Sequence, residues 1–236
     1  MTAADPAVPA TRAPDRRPRV VLFDVFETLL RVEELSRRFV DVGRPAHEWE
    51  LFFTRTLRDG MALTLAGECR PFAEVARNAL CTTARHTLSD EALDHVLAGF
   101  RLLPAHPDVE PAFAALARAR IPMYAFTHGD AAVACAALDR AGLRSYLRDV
   151  FSAEEIRSFK PPPRVYHWAC SRVGSTPART ALVAAHSWDV HGAVSAGMIG
   201  GLATRLEGAV PATCARPHVA AERLDAVVDG LLALPA

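Results

Sequence analysis

Short apolar runs alternate with longer segments of helical spacing, and this alternation constrains the fold of the 236-residue chain more than any other feature. The strand-like runs cover residues 19–23, 122–126, 180–184 and about 199–204. The helical segments cover about 109–120, 130–141, 163–173, 193–196 and 218–233. Strands separated by helices form parallel sheets that are covered on both faces. We therefore predict an α/β fold with a Rossmann-like parallel sheet and helices on both faces.

One long segment breaks this alternation. Residues 34–102 have helical spacing and several aromatic residues but hardly any strand signal, which predicts an inserted α-helical cap subdomain. The core would then comprise residues 19–33 and 103–236. Residues 1–18 are rich in Pro, Ala, Thr and Arg and lack an apolar stretch, so we expect a disordered tail rather than a signal peptide.

The composition excludes several classes of protein. Half of the residues are hydrophobic and the formal net charge is zero, which allows a large core and argues against nucleic acid or an anionic membrane as a partner. No apolar run is long enough for a transmembrane helix. The five cysteines are scattered without C-x-x-C spacing, which is typical of reduced thiols in a cytoplasmic protein. The expected partner is a small-molecule substrate.

Polar residues follow three of the predicted strands, at the edge where open α/β sheets bind ligands. They are Asp24, the pair Thr127–His128, and the segment 186–189, which ends in Asp189. The only lysine of the chain, Lys160, lies on the connection between the last two strands. A carboxylate after an apolar strand can act as a nucleophile, provided that a nearby cation keeps it ionised. Lys160 is the candidate for that cation, and Thr28 and Thr127 are candidate hydrogen-bond donors.

Four segments in this order resemble the motifs of the haloacid dehalogenase superfamily and, within it, of the type II 2-haloacid dehalogenases. They cover residues 23–29, 127–129, 160–166 and 188–193. The resemblance implies a Rossmann-like core with a helical cap and a hydrolase that acts at an electrophilic carbon. It also implies that the chain can form a homodimer.

The resemblance further implies a role for each matching residue. Asp24 would attack carbon and expel halide, and water would hydrolyse the resulting ester. Lys160 would stabilise Asp24, while Thr28 and Thr127 would hold it by hydrogen bonds. Asp189 would orient Lys160 or activate water. Two aromatic residues complete the expected site: Phe72 would close over the substrate from the cap, and Trp188 would either pack beside the Asp189 loop or line the halide pocket.

Two positions argue against the magnesium-dependent phosphatases of the same superfamily. Phe26 stands where those enzymes carry a second aspartate as acid and base, and Ala185 replaces an aspartate of their last motif. Losing a general acid or base typically costs about 10²–10⁴ in rate, and Mg²⁺ needs several oxygen ligands. We therefore expect neither a metal nor a cofactor, with the Phe26 side chain facing the substrate.

Other positions depart from the dehalogenase pattern. Leu51 aligns with an arginine that helps to bind the leaving halide; Arg55 or Arg58, further along the helix, either substitutes for it or faces solvent. His128 and His186 replace two asparagines. They are either ordinary, partly buried histidines or a pair that binds the substrate or relays a proton.

Glu27 replaces a usual glycine and either faces solvent or changes the choice of substrate.

Three other functions stay open at this point. A magnesium-dependent phosphatase would lose its activity in EDTA. A dehalogenase fold adapted to a non-hydrolytic biosynthetic reaction would tolerate Asp24→Asn. A binding protein without turnover would have little use for the charged trio Asp24, Lys160 and Asp189.

Overall fold

A single parallel sheet forms the centre of the molecule. The computed structural model describes residues 16–236. Within them, six strands follow the order β3-β2-β1-β4-β5-β6, and every neighbouring pair is parallel. The strands are β1 (Val20–Phe23), β2 (Met123–Thr127), β3 (Asp149–Ser152), β4 (Thr180–Ala184), β5 (Ile199–Ala203) and β6 (Val219–Ala221). The predicted α/β, Rossmann-like class is confirmed.

The helices flank this sheet and fill the segment after β1. In the described part they are α1 (Ser36–Asp41), α2 (Glu48–Leu65), α3 (Phe72–Thr83), α4 (Asp90–Ala98), α5 (Val109–Arg118), α6 (Ala131–Arg140), α7 (Pro163–Arg172), α8 (Ser187–Ser195) and α9 (Leu224–Ala233). None of them is long and apolar enough to cross a membrane. Short 3-10 turns cover Val32–Leu35, Gly99–Leu102, Arg144–Tyr146, Ala153–Ile156 and Pro177–Arg179.

Alternating side chains of β1 enter two separate hydrophobic clusters. Val21 and Phe23 join the larger cluster, which includes buried residues of α5, α6 and α9. Val20 and Leu22 join the second cluster, together with buried residues of α7 and α8. Successive side chains of a strand point to opposite faces, so the sheet is covered on both sides. This double burial explains why β1 is apolar throughout.

The sheet register determines where the polar strand ends meet. Phe23, the last residue of β1, pairs with Ala125 of β2 and Val183 of β4. Asp24 therefore follows at the carboxyl edge, beside the residues with which β2 and β4 end. Its backbone N–H still donates to the Val183 carbonyl, at 3.1 Å. The carboxylate is thus anchored to the rigid centre of the sheet.

Helices α1 to α4 lie between β1 and α5. Phe52 and Phe53 of α2 contact the ring of Phe100, with centroid separations of 6.2 Å each, and Phe39 of α1 contacts Phe52 at 5.8 Å. These rings are buried and belong to the same large cluster as the β1 side chains. The aromatic residues of this segment therefore join it to the rest of the fold through shared apolar burial.

Several sequence-based predictions of elements were wrong. Residues 149–152 form β3 and 219–221 form β6, neither of which was predicted as a strand, so that the last helix begins at Leu224 instead of about 218. Both strands are short edge strands, too brief for a clear period-two pattern. The helix predicted at 193–196 begins earlier, at Ser187.

Part of the predicted N-terminal tail, residues 1–15, lies outside the described residues. At the start of the described part, the Arg17 N–H donates to the Pro235 carbonyl at 2.7 Å.

Candidate active site

Asp24 is the centre of a buried network of charges. Its side chain lies at the end of β1, and only 4% of the residue is exposed. Lys160 Nζ donates to Asp24 Oδ1 at 3.1 Å, and the Thr28 hydroxyl donates to Oδ2 at 2.6 Å. The same hydroxyl accepts from the Ala185 N–H at 2.9 Å, which leaves its proton for Asp24. Both carboxylate oxygens are thus held by groups that stabilise the ionised form.

Lys160 joins Asp24 to a second carboxylate. Its Nζ also donates to Asp189 Oδ2 at 2.7 Å, and the side chain is fully buried. The ammonium lies 4.6 Å from the centre of the Phe126 ring, which adds a cation–π contact. The sequence-based expectation that Asp24, Lys160 and Asp189 meet at one edge of the sheet agrees with these distances; their catalytic roles stay predictions.

Tyr166 is a neighbour of this network that the sequence analysis missed. Its hydroxyl donates to Asp189 Oδ1 at 2.7 Å and contacts the Asp189 main-chain oxygen at 3.1 Å. Burial, together with the charge of Asp189, raises the pKa of the Tyr166 hydroxyl well above its ordinary value, so it remains a donor. A polar residue on the helix that directly follows Lys160 was the only available signal. Tyr166 and Lys160 together occupy both oxygens of Asp189.

The protonation states follow from competition between burial and charge. Burial raises the pKa of Asp24, but Lys160, His186 and Thr28 outweigh burial and hold that pKa below its ordinary value. Burial lowers the pKa of Lys160, but Asp189 and Asp24 outweigh it and raise that pKa. Asp24 is therefore ionised and Lys160 charged at neutral pH. An ionised, partly desolvated carboxylate is the form that can attack an electrophile.

His186 bridges two carboxylates at the other side of Asp24. Its Nδ1 lies 3.3 Å from Asp24 Oδ2, and its Nε2 lies 2.7 Å from Glu27 Oε2. Burial lowers the pKa of His186, but the two carboxylates more than reverse this and raise the pKa to about 10. His186 is therefore an imidazolium at neutral pH. It is the second cation beside Asp24.

His128 occupies the end of β2 in a different electrostatic state. Its Nδ1 accepts from the Lys160 main-chain N–H at 3.4 Å, which assigns the ring proton to Nε2. That Nε2 is buried and has no hydrogen-bond partner among residues 16–236. Burial and the charge of Lys160 lower the pKa of His128 well below its ordinary value, so the ring is neutral. A buried N–H without a partner is a donor available to a ligand.

Trp188 lies between the two histidines. Its ring centroid is 5.5 Å from that of His128 and 5.1 Å from that of His186. His128 also stacks on Phe159, at 5.0 Å. The expectation that Trp188 packs beside the Asp189 loop agrees with these contacts, and the indole gives both imidazoles a rigid neighbour.

Two of the expected site residues make other contacts. Thr127 is fully buried at the end of β2, but its hydroxyl accepts from the Gly129 N–H at 3.1 Å, and no hydrogen bond joins it to Asp24 within residues 16–236. Arg55 donates to Thr83 of α3 at 3.1 Å.

Arg58 pairs with Asp59 at the surface. Among the described residues, neither arginine forms a hydrogen bond or ion pair with the Asp24 network, so the structure gives no support to either as the missing cap arginine. Both side chains extend from α2 toward other partners, Thr83 for Arg55 and Asp59 for Arg58.

Apolar side chains line a small cavity beside the first motif. Phe72 stacks on Phe26 with a centroid separation of 6.2 Å, and the edge of Phe100 meets both rings. The cavity has a volume of about 80 Å³. Its lining is Phe26, Phe72, Ala73, Ala76, Leu97, Phe100, Gly129, Asp130 and Val133. A larger surface groove, near Glu34 and Arg140, is lined by none of the residues of the Asp24 network.

The donor set around Asp24 does not fit Mg²⁺, the metal of the superfamily phosphatases. Phe26 contributes a packed aromatic ring, and Ala185 is a buried methyl group. One oxygen of Asp24 and one of Asp189 bind the Lys160 ammonium. In the part of the chain that the structure describes, no three His, Cys, Asp or Glu residues are arranged to hold a metal ion. Mg²⁺ requires more oxygen ligands than this.

Comparisons with known proteins agree with this geometry. A family model for haloacid dehalogenase-like hydrolases matches residues 18–197. (S)-2-haloacid dehalogenase 4A of Burkholderia cepacia is 29% identical over 180 residues, which cover 74% of this chain and 78% of that protein. (S)-2-haloacid dehalogenase 1 of a Pseudomonas species is also 29% identical over 180 residues, 74% of this chain and 79% of that protein.

Solved structures show the same fold. A crystal structure of a dehalogenase with an intermediate complex is 26% identical, with a TM-score of 0.81 over 89% of this chain and 95% of that one. The L-2-haloacid dehalogenase of Xanthobacter autotrophicus is 21% identical, with a TM-score of 0.83 over 92% of this chain and 99% of that one. At that lower identity the likeness concerns the fold alone.

Fold and site together define an α/β hydrolase with a carboxylate at the tip of its central strand. The chain belongs to the haloacid dehalogenase-like hydrolases, because the family model matches most of it. The predicted family, fold class and enzyme class are therefore confirmed.

Proposed function

We propose that this hydrolase releases halide from small 2-haloacids through an ester on Asp24. The observation that carries the proposal is the buried Asp24 carboxylate, held ionised by Lys160 at 3.1 Å and Thr28 at 2.6 Å, with Phe26 in place of a second carboxylate. The names of the relatives, all (S)-2-haloacid dehalogenases, support this substrate class. The S enantiomer is the expected substrate for the same reason.

The chemistry divides into two half-reactions. In the first, an Asp24 oxygen forms a bond to the carbon that bears the halogen, the carbon–halogen bond breaks, and halide leaves with the bonding electrons. In the second, a water oxygen attacks Cγ of Asp24, and the bond between Cγ and the ester oxygen breaks. The product is a 2-hydroxy acid, and Asp24 returns to its ionised form. Positioning the carboxylate against the carbon supplies much of the rate enhancement.

Other residues assist without forming the covalent bond. Lys160 keeps Asp24 ionised and neutralises the oxyanion that forms when water attacks. Asp189 positions Lys160, and Tyr166 positions Asp189 through the bonds at 2.7 Å. The free Nε2–H of His128 is the candidate donor to the substrate carboxylate. Phe72 and Phe26 line the small apolar cavity beside the first motif.

The decisive experiment combines halide release with intact-mass spectrometry. Purified protein is incubated with both enantiomers of 2-chloropropionate, and the Asp24→Asn variant serves as the control. We expect halide release from the S enantiomer, a transient mass increase on Asp24 and neither signal in the variant. A folded protein that releases no halide from a panel of 2-haloacids contradicts the proposal.

Parallel assays separate the other functions. With a phosphate ester as substrate, phosphate release that EDTA abolishes would identify a phosphatase. Product formation that survives Asp24→Asn would identify a reaction without the covalent step.

We further propose that the protein works in the cytoplasm as a homodimer. The five cysteines are free thiols in the structure, in keeping with a reducing compartment. Light scattering coupled to size exclusion tests the dimer; a mass of about 25.5 kDa across the concentration range would contradict it.

A further inference from the structure

Glu27 has a backbone conformation that glutamate rarely adopts. Its φ is +64°, in the left-handed region that favours glycine. Three contacts hold it there: its N–H donates to the Leu30 carbonyl at 2.9 Å, its carbonyl accepts from His106 Nε2 at 3.1 Å, and its carboxylate contacts His186 Nε2 at 2.7 Å. Unfavourable backbone conformations cluster at functional sites, where the surroundings maintain them. The Glu27 side chain is only 14% exposed, so its charge is directed at His186 and not at solvent.

His186 presents its other ring nitrogen to the nucleophile. Nδ1 lies 3.3 Å from Asp24 Oδ2, but the geometry is not that of a hydrogen bond, and Nδ1 has no hydrogen-bond partner elsewhere in the described part of the chain. Glu27 thus determines the orientation of the ring through Nε2, and Nδ1 stays available at the reacting carboxylate. A nucleophile, an imidazole and an orienting carboxylate in this order are the elements of a hydrolytic relay.

The alternative acceptor of a proton, Asp189, is less accessible. Its Oδ2 binds Lys160 and its Oδ1 binds Tyr166, both at 2.7 Å, and the residue is fully buried. These two hydrogen bonds fix the Asp189 carboxylate, and the fixed carboxylate positions Lys160. His186 lies beside Asp24 with a ring nitrogen, Nδ1, that no described residue hydrogen-bonds, whereas the free Nε2 of neutral His128 carries a proton and cannot accept one.

We propose, on the basis of the function proposed above, that Glu27 and His186 form a proton relay for hydrolysis of the Asp24 ester. His186 is the catalytic base that takes a proton from the attacking water. Glu27 is a positioning residue that acts through His186.

The proton balance of the cycle is complete. The free enzyme contains ionised Asp24 beside protonated His186. Ester formation removes the Asp24 charge, and His186 then loses its proton to solvent. As water oxygen bonds to Cγ, neutral His186 takes one water proton and passes it to the ester oxygen as the bond from Cγ to that oxygen breaks. The protonated carboxyl left on Asp24 returns its proton to His186. The net products are the hydroxy acid, halide and one proton.

This relay makes the two half-reactions differ in their pH dependence. The charged and titratable groups that act on His186 are Asp24 and Glu27, and His128 is its titratable neighbour. The Asp24 charge disappears in the ester, so the pKa of His186 falls below the value of about 10 in the free enzyme. Hydrolysis of the ester therefore accelerates as the pH rises through that lowered pKa. Removing the Glu27 charge lowers the same pKa further, since an opposite charge at this distance shifts a pKa by about 1–3 units.

The first test measures ester decay in the His186→Asn variant. Enzyme is mixed with excess (S)-2-chloropropionate, quenched at intervals and weighed by mass spectrometry. We expect a burst of one equivalent of halide, accumulation of the adduct and decay of the adduct slowed by about 10²–10⁴-fold, as for loss of a general base. Adduct decay at the wild-type rate would overturn the relay while leaving the proposed function intact. Wild-type enzyme without halide release or adduct would instead remove the function on which the relay rests.

The second test uses Glu27→Gln, which keeps the size of the side chain and removes its charge. We expect the midpoint of the pH profile for ester decay to fall by about 1 unit or more, with the rate of ester formation little changed. An unchanged midpoint would overturn the role of Glu27.

The double variant Glu27→Gly with His186→Asn tests the coupling of the two residues. Glycine adopts the positive φ of Glu27 without strain, so this change does not itself disturb the backbone. Compared with the single variants Glu27→Gly and His186→Asn, the double variant should show strongly non-additive effects on ester decay, as for residues that act through one another. Additive effects would contradict the coupling.

Discussion

Replacing Lys160 by methionine should destabilise the fold strongly at neutral pH. Methionine keeps the length and the apolar stem beside the Phe126 ring but removes the ammonium. The change leaves the Asp24 and Asp189 carboxylates buried without the cation that contacts both, at 3.1 and 2.7 Å. Breaking a buried ion pair by removing one partner costs about 3–5 kcal/mol. Against a typical total stability of about 5–15 kcal/mol, this is a large fraction.

The stability lost in Lys160→Met should be smaller at low pH than at neutral pH. Without the cation, one of the two carboxyl groups has a pKa above its unfolded value in the folded variant, because burial and the neighbouring negative charge disfavour ionisation. Its protonation therefore stabilises the folded variant at low pH, and this stabilisation is lost as the pH rises through the raised pKa. The free energy of unfolding, measured in urea at pH 5 and pH 7, should differ less from wild type at pH 5.

Arg77→Met is the matched control. Arg77 also contacts two carboxylates, Asp90 at 2.6 Å and Asp94 at 2.5 Å, but these lie at the surface. Exposed ion pairs contribute about 0–1 kcal/mol each, so the control should lose far less than Lys160→Met. Equal losses in the two variants, or a deficit for Lys160→Met that grows at pH 5, would refute the reasoning from burial.

Three further outcomes follow from the contacts. Gly60→Ala should lower the melting temperature, because its Cβ would lie 2.1 Å from the Phe159 ring and overpacking costs about 1–3 kcal/mol; a rise, as helix propensity alone predicts, would contradict this. Tyr166→Phe should cost about 1–3 kcal/mol in urea titrations, because Asp189 Oδ1 loses its buried donor; an unchanged midpoint would disprove it. The pKa of His186 is about 10 in the folded protein and 6.5 ordinarily, so the stabilisation from its charge is complete below pH 6.5 and is lost as the pH rises towards 10. The melting temperature of the wild type should therefore fall more steeply over that pH range than the melting temperature of His186→Asn.

The predicted meeting of Asp24, Lys160 and Asp189 at one edge of the sheet agrees with the structure because local rules apply there. Asp24 directly follows a strand of four buried apolar residues, and the ends of parallel strands meet at one edge. Lys160, as the only lysine of the chain, was conspicuous by composition. Its contact with Asp24 required only that the connection after β3 return to this edge. Placement by strand ends needs no knowledge of packing.

The same rules were less successful for residues on helices. Arg55 was a candidate for the site, but its side chain bonds to Thr83 across the contact of α2 with α3. Helical spacing indicates which residues share a face, but the direction of a long flexible side chain depends on the partner helix. The edge strands β3 and β6 escaped notice for a related reason, since they are defined by pairing with a neighbour and are too short to show a pattern of their own.

What the chain determined by itself is the parallel sheet, four of its six strands and the presence of a carboxylate at the end of the central strand, because apolar periodicity and strand ends are local properties. Only the tertiary structure decided which groups the two histidines contact and which charge each of them carries. Glu27 and His186 are 159 residues apart in sequence, and their contact depends on the positive φ of Glu27 and on the packing of β1 against β4. Charge state follows such contacts, because burial and neighbouring charges set the pKa of each group.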